Sequence, residues 1–146
     1  TNPYGVILPS SRKQGLIGVV LNKIIENKPV EIFGNPDNIR DYIHLEDLCK
    51  AIMLSFNIKK SFDIFNIGSS QGHSVKQIIE LISIFLDMEI IIKNISLNNS
   101  ENLVDWVIVD NLKARENLNW QPEISMEDGL KSLCSLVKTR INYGNE

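Results

Sequence analysis

Arg40 is the residue in this sequence with the clearest capacity to bind a charged ligand. It follows residues 34–38, whose glycine, proline, asparagine and aspartate predict an irregular turn. A guanidinium group is planar, always charged and can bind a diphosphate through two parallel hydrogen bonds. The alternative is an ion pair with Asp41 or Asp47, and composition alone favours that alternative because ion pairing is the usual role of a single arginine.

A second segment has the order of a phosphate-binding unit: a strand-like run at 62–67, a glycine turn at 68–72 and a helical pattern after Ser74. The turn lacks the Gly-Lys-Ser/Thr ending of a Walker loop and the glycine spacing of a dinucleotide fingerprint. Gly15 and Gly18 fail the same spacing, since Leu21 occupies the next position. A plain tight turn is therefore the favoured interpretation.

The remaining reactive side chains lack partners at catalytic or metal-binding spacing. His44 is expected to pack inside the fold, and His73, in a turn, is expected to be solvated. Cys49 and Cys134 lie in apolar helical patterns and are expected to be two buried thiols rather than a zinc site or a disulfide. We therefore predict neither a catalytic residue nor a metal site in this chain.

The composition indicates one globular domain spanning 1–146. The hydrophobic fraction is 43%, the charged fraction is 23%, and the formal net charge of -3 is dispersed along the chain, which disfavours nucleic-acid binding. No apolar run approaches the roughly 20 residues needed to cross a bilayer, and no export signal is visible. We expect a cytoplasmic protein whose sequence, beginning at Thr1 without Met, is the middle of a longer one.

Helical and strand patterns alternate along the chain, which is typical of α/β architecture. Ser74, Asp110 and Ser125 with Asp128 are predicted to cap helices. The predicted helices cover about 17–25, 48–56, 75–86, 110–115 and 125–137, and the predicted strands cover 30–33, 40–44, 62–67 and 89–95. Of the strands, 62–67 has the clearest pattern.

Seven short motifs occur in a fixed order. They are Asn2-Pro3-Tyr4-Gly5, Gln14-Gly15-Leu16-Ile17, Ile32-Phe33-Gly34, Arg40-Asp41-Tyr42-Ile43-His44-Leu45-Glu46-Asp47-Leu48, Phe65-Asn66-Ile67-Gly68, Asp110 with Ala114-Arg115, and Leu118-Asn119-Trp120-Gln121-Pro122. Together they resemble the second half of the extended short-chain dehydrogenase/reductases, and most of all the NAD-dependent epimerase/dehydratase family, which includes UDP-glucose 4-epimerase. The resemblance covers nearly the whole chain.

This resemblance implies a nucleotide-sugar site. It implies that Asn2 contacts the diphosphate or the sugar, that Gln14 and Gly15 open a helix beside the nucleotide, and that Ile32 and Phe33 line the base. For Arg40 the resemblance reverses the preference for an ion pair, because the matching arginine contacts the diphosphate. Asp41 and Asp47 are expected to be structural.

Two positions depart from the family pattern. Ser100 and Leu103 stand where the family usually has an arginine and an aspartate that bind phosphate and ribose. Asn99, Asn102 or Lys93 would have to substitute, and Asn99 is our candidate, although a neutral amide cannot replace the charge of an arginine. We expect these changes to alter affinity or nucleotide choice.

The resemblance also implies what lies outside this chain. The family's catalytic Tyr-x-x-x-Lys pair and its glycine-rich NAD turn have no counterpart here, so the chain alone is expected to bind no NAD and to be inactive. We expect the carboxy-terminal portion of a Rossmann-type fold: a small substrate domain plus elements, roughly 40–68, that complete the dinucleotide-binding sheet of the amino-terminal half. The complete enzyme is expected to be a homodimer.

Three hypotheses follow. The leading one is the nucleotide-sugar-binding part of an NAD-dependent epimerase or dehydratase, with a UDP-sugar 4-epimerase favoured. The second is a non-catalytic binding or regulatory module that has kept the fold and lost the chemistry. The third, an unrelated α/β domain, conflicts with the ordered series of motifs.

Overall fold

The computed structural model describes residues 1–9, 14–95 and 104–143. Six strands and five helices occur in this part of the chain. In order they are β1 (Asn2–Tyr4), α1 (Leu16–Ile25), β2 (Val30–Phe33), β3 (Ile39–His44), α2 (Leu45–Ser55), β4 (Gly72–Ser74), α3 (Val75–Leu86), β5 (Ile92–Ile95), β6 (Trp106–Val107), α4 (Leu112–Leu118) and α5 (Met126–Tyr143). This is the α/β alternation that the sequence predicts.

The strand β3 organises the larger sheet. It pairs in parallel with β1, where Asn2 lies opposite Tyr42, and in parallel with β6, while β4 runs antiparallel to it. A separate two-stranded sheet joins β2 and β5 in parallel, with Val30 opposite Ile92. The turn at 34–38 therefore connects β2 of the small sheet directly to β3 of the large sheet.

Two hydrophobic cores hold these elements. The larger core packs α1, α3 and α5 around β1, β2 and Tyr42 of β3, and its fully buried members include Val20, Leu21, Ile78 and Leu130. The smaller core joins β3, α2 and α4, and Trp120 anchors it by donating its indole N–H to the carbonyl of Asp47 at 3.0 Å. This arrangement buries the tryptophan ring and still satisfies its polar atom.

The helix starts confirm most of the predicted caps. Ser74 forms a reciprocal capping box with Gln77 at the start of α3. At α5, Ser125 Oγ accepts from the N–H of Asp128 at 3.0 Å and donates to its carboxylate at 2.6 Å. Asp110 accepts from the N–H of Leu112 at 2.9 Å, although the cap position of α4 itself is Asn111.

The prediction of a strand at 62–67 was wrong. The segment forms no strand, because no neighbouring strand in the described residues pairs with it, and backbone hydrogen bonds to a neighbour define a strand. Its side chains still alternate between exposed and half-buried, with Phe62 77% and Ile64 66% exposed. Lys113 holds it on one side by donating to Asp63 and to the carbonyl of Ile64.

Two other predictions needed correction. Cys49 is exposed on α2, where it lines the groove between α2 and α4, whereas Cys134 is buried in the larger core. His73 is half-buried in β4, where it pairs with Arg40, rather than solvated in a turn. His44 is buried as predicted, and its Nδ1 accepts from the N–H of Glu46 at the start of α2.

The carboxylate of Asp41 is the most heavily bonded side chain of the sheet. Asp41 is 1% exposed. Its Oδ1 accepts from the N–H and hydroxyl of Ser69 at 2.8 and 2.7 Å, and its Oδ2 accepts from the N–H groups of Ser70 and Val109 at 3.0 and 3.1 Å. The side chain therefore joins β3 to the turn at 68–72 and to the chain that leaves β6.

Asp47 has a similar role at the start of α2. It is buried in the first turn of α2, and its Oδ2 accepts from the N–H groups of Glu123 and Ile124 at 3.0 and 2.9 Å. Lys50 lies 3.7 Å from its other oxygen. Asp41 and Asp47 are therefore structural, as expected from the sequence.

We predict that Asp41→Ala lowers the free energy of unfolding by about 2–4 kcal/mol, because it leaves buried backbone donors without an acceptor. Urea denaturation followed by circular dichroism measures this change. The control is Asp37→Ala, since Asp37 is exposed and its side chain makes no hydrogen bond within the described residues. Equal stability of the two variants would refute the structural role of Asp41.

We also predict that the two cysteines react at very different rates with a thiol reagent at pH 8. Cys49 is exposed, whereas burial raises the pKa of Cys134 to about 11, against a smaller opposing effect of Lys138. Because the thiolate is the reactive form, Cys134 should react only after the fold opens. In Cys49→Ser the fast phase should disappear; a fast phase that survives would show that Cys134 is accessible.

Candidate functional site

Two adjoining cavities lie beside the start of α1. The larger, about 690 Å³, is lined by α1, by β2 and by the residues between them, and it includes Gly15, Ile32 and Phe33. The smaller, about 60 Å³, includes Asn2, Gln14 and Gly15. Gly15 belongs to both, so five of the seven residues expected at the site line one or the other of two neighbouring cavities.

Gly15 shapes the entrance to both cavities. It is exposed, it has a φ of 76°, and its carbonyl accepts the first hydrogen bond of α1, from the N–H of Val19 at 3.1 Å. A residue with a side chain is strained in this conformation. The first turn of α1 contains no acidic residue, and no side chain caps its N–H groups.

Asn2 is tied to the strand that carries Arg40. Its side-chain amide donates to the carbonyl of Asp41 at 3.1 Å, while β1 lies in register beside β3. Tyr42, two residues after Arg40, lines the smaller cavity beside Asn2. Burial raises the pKa of the Tyr42 hydroxyl, against an opposing effect of the Arg40 charge, so this group is neutral at pH 7.

Arg40 itself does not line either cavity. Its guanidinium donates to the carbonyl of Ile39 at 2.7 Å and to that of Asp105 at 3.4 Å. Among the described residues it has no ion pair, so the alternative of a pair with Asp41 or Asp47 is not what this structure contains. Its charge is therefore not neutralised by a carboxylate in this part of the chain.

The remaining expected residues fall elsewhere. Asn99, together with Ser100, Asn102 and Leu103, lies outside the described residues. Lys93, a possible substitute for the missing arginine, is exposed on β5 opposite Glu31. Within the described chain, no group of three or more His, Cys, Asp or Glu could hold a metal ion, and no helix is long and apolar enough to span a membrane.

Sequence reasoning missed four charged residues in the larger cavity, namely Lys23, Glu26, Lys28 and Glu31. Lys23 reaches it from α1 and Glu31 from β2. The alternation of β2 offered a signal for Glu31, because residues two apart on a strand share a face, and Phe33 was already expected at the site. For Lys23 the signal was weaker, since the apolar face of α1 does not determine which polar residues point toward β2.

Comparison with known proteins places the chain in a family. The sequence profile described as GDP-mannose 4,6 dehydratase matches residues 9–133. This chain belongs to the extended short-chain dehydrogenase/reductases. It is 33% identical over 96% of its length to dTDP-4-dehydro-6-deoxyglucose reductase from Escherichia coli, of which it covers 44%. It is also 30% identical over 94% of its length to UDP-glucuronate 4-epimerase from Thermodesulfobacterium geofontis, of which it covers 42%.

Solved structures show the same fold. UDP-glucose 4-epimerase from Thermotoga maritima, determined with UDP-glucose, aligns with a TM-score of 0.79 and 28% identity over 94% of this chain and 44% of that one. The Bacillus anthracis dTDP-glucose 4,6-dehydratase, determined with NAD, aligns with a TM-score of 0.80, 97% of this chain and 44% of that one, but only 20% identity. The chain thus spans less than half the length of these relatives. The expected family and its Rossmann-type α/β fold are confirmed.

The glycine turn at 68–72 does not fit the phosphates of NAD. The glycine turn at 68–72 is the segment that most resembles a phosphate-binding loop, but its N–H groups at Ser69 and Ser70 already donate to Asp41. At the start of the helix that follows, the N–H groups of Ser74 and Gln77 are already bonded within the capping box. The turn is therefore a structural connection, as the sequence favoured.

We predict that two Gly→Ala changes in the same segment have opposite effects on stability. Gly15→Ala should destabilise by about 1 kcal/mol because of its positive φ, even though no atom lies within 4 Å of the new methyl group. Gly18→Ala lies inside α1, meets only the Val6 carbonyl at 3.8 Å, and should stabilise by about 0.5–1 kcal/mol. Thermal unfolding measures both, and a stabilising Gly15→Ala would contradict the described conformation.

Proposed function

We propose that this chain is the nucleotide-sugar-binding part of an NAD-dependent nucleotide-sugar epimerase or dehydratase. The observation that carries the proposal is the larger cavity. It brings together residues from the start of α1 and from β2 that the family resemblance assigns to the nucleotide, and its volume is suited to a nucleoside.

In this proposal each element has a separate role. Phe33, 59% exposed, presents its ring to the base, and Gly15 allows the backbone to approach the ribose and phosphates closely. Arg40 binds the diphosphate after its weak contact with the Asp105 carbonyl is exchanged for charged oxygens. Asn2 contacts the diphosphate or the sugar through the carbonyl oxygen of its amide, since its N–H₂ group is bonded to Asp41. Asn99 completes the set.

The catalytic groups and the NAD site belong, in this proposal, to the amino-terminal half. NAD bound there would supply the hydride acceptor, while the residues described here bind and orient the nucleotide sugar. The chain alone is accordingly proposed to be inactive. The complete enzyme is proposed to be a cytoplasmic homodimer.

The finer proposal is a UDP-sugar 4-epimerase-like reaction. Its support is the similarity to the Thermotoga maritima UDP-glucose 4-epimerase and to the UDP-glucuronate 4-epimerase. The similarity to a dTDP-sugar reductase is as strong, so neither the reaction nor the base follows from similarity alone. The choice of base depends instead on the polar groups that line the larger cavity.

The test is isothermal titration of this chain with UDP, UDP-glucose and a GDP-sugar. We predict saturable binding of at least one nucleotide class, weakened at least tenfold by Arg40→Ala because this change removes a charge-assisted, two-point interaction with the diphosphate. The matched control is Arg115→Ala on α4, where the arginine donates to Gln121 outside the candidate site. Binding that Arg40→Ala and Arg115→Ala leave equally intact would contradict the proposed role of Arg40.

We further propose that the exposed face of α2 and residues 62–67 pack on the dinucleotide-binding half. Large apolar side chains are exposed on both, namely Ile52, Met53, Phe56, Phe62 and Ile64. Residues 62–67 pair with no strand in the described residues, so their backbone can add to the edge of another sheet. Apolar surface of this kind usually marks an interface.

Without that half we predict that the chain self-associates. The double change Phe62→Ser and Ile64→Thr should raise the monomer fraction measured by light scattering. Ile84→Thr on α3, where Ile84 is 69% exposed but distant in sequence from this face, serves as control and should have no such effect. A monodisperse monomer of the unmodified chain at working concentration would contradict the proposed interface.

A further inference from the structure

Glu31 and Phe33 project from the same exposed face of β2. The strand alternates buried and exposed residues, so these two side chains are neighbours about 7 Å apart, the repeat of two strand residues. Both line the larger cavity. Within the described residues the Glu31 carboxylate takes part in no ion pair, although Lys93 lies opposite on β5. Its two oxygens are therefore available to a ligand.

Lys23 supplies a donor from another wall of the same cavity. It is half-buried on α1 and takes part in no ion pair among the described residues, whereas Lys28, which also lines the cavity, pairs with Glu26 at 2.9 Å. The cavity thus combines a flat aromatic ring, a double acceptor on the same strand and a cationic donor on the neighbouring helix. Such a set of groups can distinguish one planar ligand from another by the donors and acceptors along its edge.

Nucleobase edges differ in the order of their donors and acceptors. Guanine presents one acceptor, O6, followed by two adjacent donors, N1–H and N2–H₂, so a carboxylate can accept both donors while an ammonium group donates to O6. Uracil and thymine present a single N–H between two carbonyl oxygens. Against that edge, one carboxylate oxygen would accept the N–H and the other would face a carbonyl, which is repulsive.

We infer that Glu31, assisted by Lys23, makes this cavity select guanosine nucleotides over uridine and thymidine nucleotides. The base stacks on Phe33, its N1–H and N2–H₂ groups donate to Glu31, and Lys23 donates to O6. The inference rests on the proposed function and opposes its uridine expectation. It assigns base selection to a residue that the family resemblance alone did not single out.

The test compares GDP with UDP by isothermal titration of the whole chain and of Glu31→Gln. The unmodified chain should bind GDP at least tenfold more tightly than UDP, because with uracil one oxygen of the Glu31 carboxylate faces an acceptor instead of a donor. Glutamine offers one acceptor and one donor, which matches the N3–H and carbonyl of uracil. Glu31→Gln should therefore weaken GDP, strengthen UDP and reduce the GDP/UDP affinity ratio at least tenfold.

The control is Glu80→Gln, which removes the same charge from an exposed position on α3 outside this cavity and should leave the ratio unchanged. Equal or tighter binding of UDP by the unmodified chain, or a ratio that Glu31→Gln does not alter, would overturn the inference. If both nucleotides bind equally and Arg40→Ala weakens both, the proposed function stands and only base selection by Glu31 fails. If neither binds a folded sample, both fail.

Discussion

The position of Arg40, the residue proposed to bind the diphosphate, depends on the buried carboxylate of Asp41. Its hydrogen bonds to Ser69, Ser70 and Val109 fix β3 between the turn at 68–72 and the chain that leaves β6. Its backbone carbonyl also receives the amide of Asn2. Arg40 precedes Asp41 directly, so one structural residue holds both the arginine and the asparagine of the proposed site.

The geometry around Asp41 also constrains the sequence of its neighbours. A methyl group on Gly68 would lie 2.7 Å from Asp41 Oδ2 and 2.9 Å from Val109, so only glycine allows the turn to approach the carboxylate this closely. Asn111 donates to the Gly68 carbonyl at 2.8 Å and completes the connection. The turn at 68–72 resembles a phosphate-binding loop in sequence, but its N–H groups bind the Asp41 carboxylate instead of a phosphate.

The sequence predicted the helices and the strands β2, β3 and β5, but it did not predict the three-residue strands β1 and β4, which pair with β3. The helix at α3 carries its own capping box and apolar face, and β2 finds β5. The prediction of a strand at 62–67 failed because strand formation requires a partner strand, and the alternation of residues in one segment does not supply one. The prediction that Cys49 is buried failed because an apolar helical pattern does not determine which of its residues face the core. In the site, the resemblance identified Gly15, Ile32 and Phe33, but the cavity was needed to associate Glu31 and Lys23 with them.

The central claim is that a nucleotide sugar binds where α1, β2 and β3 meet. Backbone amide chemical shifts of the ¹⁵N-labelled chain, recorded during titration with GDP and UDP sugars, test this claim most directly. The account predicts saturable shifts of Gly15, Phe33 and Arg40 at a common affinity. Shifts confined instead to the groove around Cys49 and Trp120, between α2 and α4, would contradict it.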